Sequence, residues 1–74
     1  MTLHAAIIKV LQEKMRPVTV REITDILNER KLYAKKDGSV IETSQVAARI
    51  NNYPKLFKRN GADISLVHWF DTYE

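Results

Sequence analysis

Cysteine is absent from this chain, and its two histidines, His4 and His68, lie 64 positions apart. The missing thiols exclude disulfides, thiolate nucleophiles and most structural zinc sites. The distance between the histidines leaves no local metal-ligand spacing. The sequence therefore predicts neither a metal nor a cofactor.

Long apolar runs are also missing, since no stretch approaches the roughly 20 residues that a helix needs to cross a bilayer. The first residues, Met1-Thr2-Leu3-His4, lack the charged and apolar regions of a secretory signal peptide. We therefore expect a protein of the cell interior, cytoplasmic or associated with the nucleoid, with no membrane partner.

Groups suited to catalysis are scarce as well. His68 and Asp71 are near each other on the terminal segment, but no nucleophile with a base and no carboxylate pair stands out. The chain has 74 residues, which is one domain at most. A domain of this size buries only about 60% of the surface that its unfolded form exposes, so little material remains for an enclosed active site. The sequence predicts a binding domain and no enzyme.

The net charge of +3 is unevenly distributed. Between Arg30 and Asn60 two acidic residues, Asp37 and Glu42, oppose eight basic ones, which gives +6, whereas the rest of the chain has four basic and seven acidic residues, which gives −3. The eight basic residues are Arg30, Lys31, Lys35, Lys36, Arg49, Lys55, Lys58 and Arg59. If most of them lie on one side of the folded domain, that side attracts a polyanion. The alternative is a set of lysines that only solvates the surface.

Two helices are predicted in the first half of the chain. The first begins after Thr2 and fades near Met15, because Pro17 disfavours helical geometry in the residue before it. Its apolar positions, spaced i, i+3, i+4 and i+7, are Leu3, Ala6, Ile7, Val10 and Leu11. A strand of one or two residues at Val18 precedes a capping box of Thr19 and Glu22, in which each side chain satisfies the other's backbone donor.

The second helix should run to about Lys31. Its outward positions are Arg21, Asp25, Asn28 and Glu29. A loop follows over residues 32–42, with Leu32 and Tyr33 expected to fold back onto the core.

A third helix is predicted from Thr43 or Ser44 to near Tyr53, because Pro54 follows. Its buried stripe is Val46, Ile50 and Tyr53. The opposite side has no carboxylate and consists of Ser44, Gln45, Ala48, Asn51 and Asn52, with Arg49 on the flank. Arginine pairs with guanine and amides pair with adenine, so this face has the chemistry of base recognition. The alternatives are a polar solvated helix and, for Arg49, an ion pair with Glu42 or with an acidic residue of the second helix.

A β-hairpin is predicted over residues 56–67, with Asn60-Gly61 as a two-residue type I′ turn. Ile64 and Leu66 form its buried face. Residues 68–74 make an aromatic tail, in which Trp69 and Phe70 should pack on the domain or lead to a partner, such as a second copy of the chain.

This element order is that of a winged helix-turn-helix, a mainly α fold with a small antiparallel sheet, here over residues 1–67. In that fold the third helix enters the DNA major groove and the hairpin, or wing, lies beside the backbone. The predicted contacts to DNA phosphates are Lys35, Lys36, Lys55, Lys58, Arg59 and Asn60.

Three segments, Leu3–Ile7, Pro17–Ile23 and the most specific one, VAARINNYPKLF at Val46–Phe57, resemble the HARE-type helix-turn-helix. A short wing that ends in Ile64–Leu66 completes the likeness. An aromatic residue is common in that family near Val20, and this mild departure concerns packing more than function. The resemblance implies a DNA-associated module, because relatives are attached to restriction endonucleases and to chromatin-linked proteins. Another relative, the delta subunit of bacterial RNA polymerase, shows that the fold also serves a polymerase.

The sequence thus predicts a module for double-stranded DNA, with a targeting or regulatory role such as transcription regulation in a larger system. The alternative is a protein-interaction module that docks on a polymerase or another subunit. Salt separates the two, because binding to phosphates weakens steeply as salt rises, whereas an aromatic interface does not.

Overall fold

Three helices and a three-stranded antiparallel sheet make up the described part of the chain, residues 2–33 and 38–69, in a computed structural model. The elements are α1 (Leu3–Lys14), β1 (Val18–Thr19), α2 (Val20–Arg30), α3 (Thr43–Asn51), β2 (Phe57–Asn60) and β3 (Asp63–Leu66). Their order confirms the predicted winged helix-turn-helix. No helix in these ranges is both long and apolar enough to cross a membrane.

Local signals place the ends of α1 and α2 as predicted. The Thr2 hydroxyl accepts a hydrogen bond from the Ala5 backbone, and α1 ends at Met15 in a left-handed conformation. The Thr19 hydroxyl accepts from the Glu22 backbone at 3.1 Å. The second half of the predicted capping box is wrong, because the Glu22 carboxylate accepts from the Arg16 guanidinium instead.

The sheet has the order β1-β3-β2, so the short first strand pairs with the second strand of the hairpin. Val18 lies opposite Ile64, and Phe57 lies opposite Leu66. These four side chains are buried and turn one face of the sheet towards the helices. The pairing of a strand near Val18 with the wing is therefore confirmed.

The wing turn lies one residue later than predicted. Asn60 is the last residue of β2 and pairs with Asp63, which leaves Gly61 and Ala62 as the loop. Gly61 has a φ of 64°, whereas Asn60 does not have a positive φ. A type II′ turn needs a positive φ only at its first central residue, while a type I′ turn would also force Asn60 into that region. In the observed register Asn60 stays in the extended strand and avoids the free-energy cost of a left-handed backbone.

One hydrophobic core joins the helices to the sheet. Ile7, Leu11, Ile23, Val46 and Ile64 are completely buried in it. Further side chains, half-buried, pack against its edge: Val20, Ile26, Leu32, Tyr33, Tyr53, Leu56 and Trp69. The predicted return of Leu32 and Tyr33 to the core is confirmed.

Trp69 packs against its own domain, which is one of the two outcomes predicted for the tail. It is half-buried, and its backbone oxygen accepts a hydrogen bond from the Gln12 side chain at 3.4 Å. Phe70 and the rest of the tail lie outside the described residues. The Trp69 contact joins the segment after β3 to α1.

Asn28 was predicted to face outward, but it joins α2 to the segment before α3. Its amide nitrogen donates to the Ile41 carbonyl at 2.9 Å, and its amide oxygen accepts from the Ile41 N–H at 3.0 Å. Ile41 itself is only 3% exposed. The side chain of Asn28 thus satisfies both backbone groups of a buried residue. If Asn28 faced the solvent, those two groups would lose these partners.

Replacing Asn28 with alanine should lower the free energy of unfolding by about 1–3 kcal/mol, because the Ile41 backbone groups lose both partners. Asp25→Ala is the matched control, since Asp25 is exposed on the same helix, and it should change stability by no more than about 0.5 kcal/mol. Chemical denaturation measures both variants. Equal stabilities would show that Asn28 does not anchor this segment.

Replacing Gly61 with alanine should destabilise the domain by about 1–2 kcal/mol, the cost of a left-handed conformation for a residue with a Cβ. An added Cβ would meet no atom within 4 Å, so the effect comes from the backbone alone. Asn60→Ala should stay within about 0.5 kcal/mol of the parent. A large loss in Asn60→Ala as well as in Gly61→Ala would restore the type I′ turn, which needs a positive φ at both residues.

Candidate nucleic-acid interface

Helix α3 packs through the stripe that the sequence predicts. Val46 and Ile50 are 0% and 3% exposed, and Tyr53 is half-buried just beyond the helix. The helix begins at Thr43 and ends at Asn51, about two residues earlier than predicted, with Asn52 as its C-cap. This packing turns the carboxylate-free side of α3 away from the core.

The outer face of α3 has an exposed Ala48 at its centre and two different flanks. On one flank, Gln45, Arg49 and Asn52 line a cleft of about 260 Å³. Its other wall consists of Leu3, Tyr33 and Ile41. On the other flank, Asn51 contacts Arg59 of the wing at 3.4 Å. The six predicted helix residues therefore do not form one uniform surface.

Gln45 has a structural task as well as the predicted recognition role. Its Oε1 accepts a hydrogen bond from the Glu42 backbone N–H at 3.0 Å. The Gln45 N–H in turn donates to the Glu42 carbonyl at 3.1 Å. The side chain is half-buried and serves as the cap of α3. A glutamine three residues after the N-cap is a sequence pattern that could have revealed this role.

Arg49 is half-buried beside the cleft. The ion pair considered for it, with Glu42 or with an acidic residue of α2, is not found among the described residues. Within residues 2–33 and 38–69, the ion pairs are Arg16 with Glu22 and Arg30 with Glu13. No carboxylate in those ranges therefore neutralises the Arg49 guanidinium. A positive group that pairs with none of the described carboxylates lies at the edge of the outer face.

The two cations of the wing point to opposite sides of the hairpin. Arg59 is opposite Ile64, whose side chain faces the core, so Arg59 leaves the sheet on the α3 side. Lys58 is opposite Ser65 and lies on the outer side of the sheet. There it lines a second cleft, of about 360 Å³, together with Asp63 and with part of Arg59.

The predicted single positive face is therefore only partly assembled. Arg49 and Arg59 border the outer face of α3 from its two flanks, whereas Lys58 lies behind the wing. Lys55 and Asn60 are exposed near these elements. Lys35 and Lys36 lie outside the described residues.

His4 lies against the end of α3. Its ring stacks on the Tyr53 ring with the two centroids 4.4 Å apart. The contact joins the first turn of α1 to the residue that precedes Pro54. In the described ranges, no group of three or more histidine, cysteine, aspartate or glutamate side chains is arranged to hold a metal ion.

These features define a helix-turn-helix domain with a wing. The chain matches the model of the HARE-HTH family, whose description names ASXL and a restriction endonuclease helix-turn-helix domain, over residues 1–69. It belongs to this family, as its sequence segments suggested. Comparisons with curated proteins and with solved structures found no match.

Gln45 provides a test of the cap. Gln45→Ala should lower the free energy of unfolding by about 0.5–2 kcal/mol, because the Glu42 N–H loses its partner. Gln45→Glu keeps an acceptor oxygen at this position and should retain the parent's stability within about 0.5 kcal/mol. Ser44→Ala, a change at an exposed neighbour, is the control. If all three variants unfold alike, Gln45 does not stabilise α3.

Proposed function

We propose that this domain binds double-stranded DNA, with α3 in the major groove and the wing beside the phosphate backbone. The observation that carries the proposal is the composition of the outer face of α3. It combines exposed amides, a hydroxyl and a guanidinium without an ion-pair partner in the described residues, and it has no carboxylate. Membership in a helix-turn-helix family supports the same use of this helix.

The shape of the helix suits the groove. An α-helix with its side chains is about 10–12 Å across, which fits the width of about 12 Å that the major groove offers. Ala48 is exposed at the centre of the face, and its small side chain lets the helix approach the base edges closely. Asn51 and Asn52 are exposed beside it and have both donors and acceptors for bases.

The role that we propose for the domain is to target or regulate a larger system, as in transcription regulation within the cell. It acts as a binding module and performs no catalysis. Trp69 packs on its own core, so that residue gives no support to a dimer formed through the tail. Docking on a polymerase or another subunit remains the competing outcome of the experiment below.

Two substitutions separate the recognition of bases from the attraction to phosphates. Asn52→Ala should cost about 1–3 kcal/mol on a preferred site and little on random DNA, because it removes a base contact. Lys58→Ala should weaken binding to every duplex alike and reduce the salt slope by about one unit, because it removes a phosphate contact. Titrations on two duplexes at two salt concentrations measure both effects.

Lys9→Ala is the matched control for Lys58→Ala. It removes the same charge from an exposed position on α1 and should leave the salt slope nearly unchanged. Equal losses in Asn52→Ala and Lys58→Ala on both duplexes would mean that α3 does not read bases. If no substitution changes binding, the groove arrangement is wrong and protein docking replaces it.

A further inference from the structure

We propose that Arg59 determines which base Asn51 reads, because its guanidinium orients the Asn51 amide towards guanine and against adenine. The inference rests on the proposed function and deepens it. It changes the role of Arg59 from a plain phosphate contact to a positioning residue at the junction of the wing and α3.

The geometry of β2 directs Arg59 to the helix. Phe57, two residues earlier on the same side of the strand, is buried in the core. Arg59 lies on the same side of the strand, nearer the tip of the hairpin, where it is exposed. There its Nη1 lies 3.4 Å from Oδ1 of Asn51, the last residue of α3.

The chemistry of the pair leaves one orientation for the amide. A guanidinium has donors and no acceptor, so it can bond only to the oxygen of an asparagine side chain. The Asn51 oxygen is therefore turned towards the wing. The NH₂ group, with its two donors, is turned to the other side and is free to face a base.

This orientation discriminates between the two purines. Asparagine reads adenine through two bonds, in which its oxygen accepts from N6 and its nitrogen donates to N7. The Asn51 oxygen keeps a second lone pair, but an adenine N6 group that reached it would also meet the donors of Arg59, which it cannot bond. Guanine presents only acceptors, N7 and O6, at the same edge. The donors of Asn51 and Arg59 together therefore match guanine.

The experiment is a selection of binding sites from a random duplex library by the whole chain. The wild-type chain should select guanine at one position, and Arg59→Ala should shift that position towards adenine by about five-fold or more, the lower end of what a paired base contact provides. Lys58→Ala removes a neighbouring cation from the opposite side of the wing. It should weaken binding without changing the selected base.

A double substitution shows whether the effect passes through Asn51. In an Asn51→Ala background, Arg59→Ala should cause no further shift in the selected base. Arg59 is exposed, so circular dichroism and the denaturation midpoint of Arg59→Ala should match those of the parent. In the free protein, the NMR signals of the Asn51 side-chain NH₂ should move in Arg59→Ala and stay in place in Lys58→Ala.

The outcomes separate the two levels of the proposal. If the wild-type chain binds duplexes and Arg59→Ala selects the same bases, or if no position shows a base preference, the inference is overturned and DNA binding stands. Unmoved Asn51 signals in Arg59→Ala also overturn the inference. A wild-type chain that binds no duplex overturns the proposed function, and the inference with it.

Discussion

The pair of hydrogen bonds between Asn28 and Ile41 is the constraint on which the position of α3 depends. The segment between α2 and α3 is twelve residues long, so local chain stiffness does not determine where α3 starts. Asn28 holds both backbone groups of Ile41, and the Ile41 side chain enters the core. Glu42 then follows at the N-cap, Gln45 caps the first turn, and Val46 faces inward. The direction of the outer face follows from this sequence of contacts.

The helices and the hairpin could be predicted because their signals are local. Thr2 and Thr19 each satisfy a backbone donor three residues away, and Pro17 ends α1 through its effect on the residue before it. The alternation of Ile64 and Leu66 with polar residues determines which side of the wing is buried. Such effects act over a few positions and need no knowledge of the rest of the fold.

The contacts that shape the candidate site could not be predicted in this way. Asn28 and Ile41 are 13 positions apart, and Asn51 and Arg59 are 8 positions apart. An asparagine on a helix has the same sequence signature whether it faces water, a backbone or a base. Periodicity identified the outer side of α3, but it could not show that Gln45 is committed to a cap or that Arg59 and Lys58 serve different sides of the wing.

The small number of free reading groups limits what this domain can do alone. Asn51 and Asn52 are the exposed amides of the outer face, beside the half-buried Arg49, and each good base contact contributes about 1–3 kcal/mol of discrimination. The two amide contacts alone give a preference of about 30-fold to about 20,000-fold, whereas a genome offers about 10⁶–10⁹ competing sites. A DNA-binding domain with this face would bias a larger system towards certain sequences, and a second binding activity would have to complete the choice of site. If the domain binds DNA as proposed, so few amide contacts suit a targeting part better than an independent sequence-specific regulator.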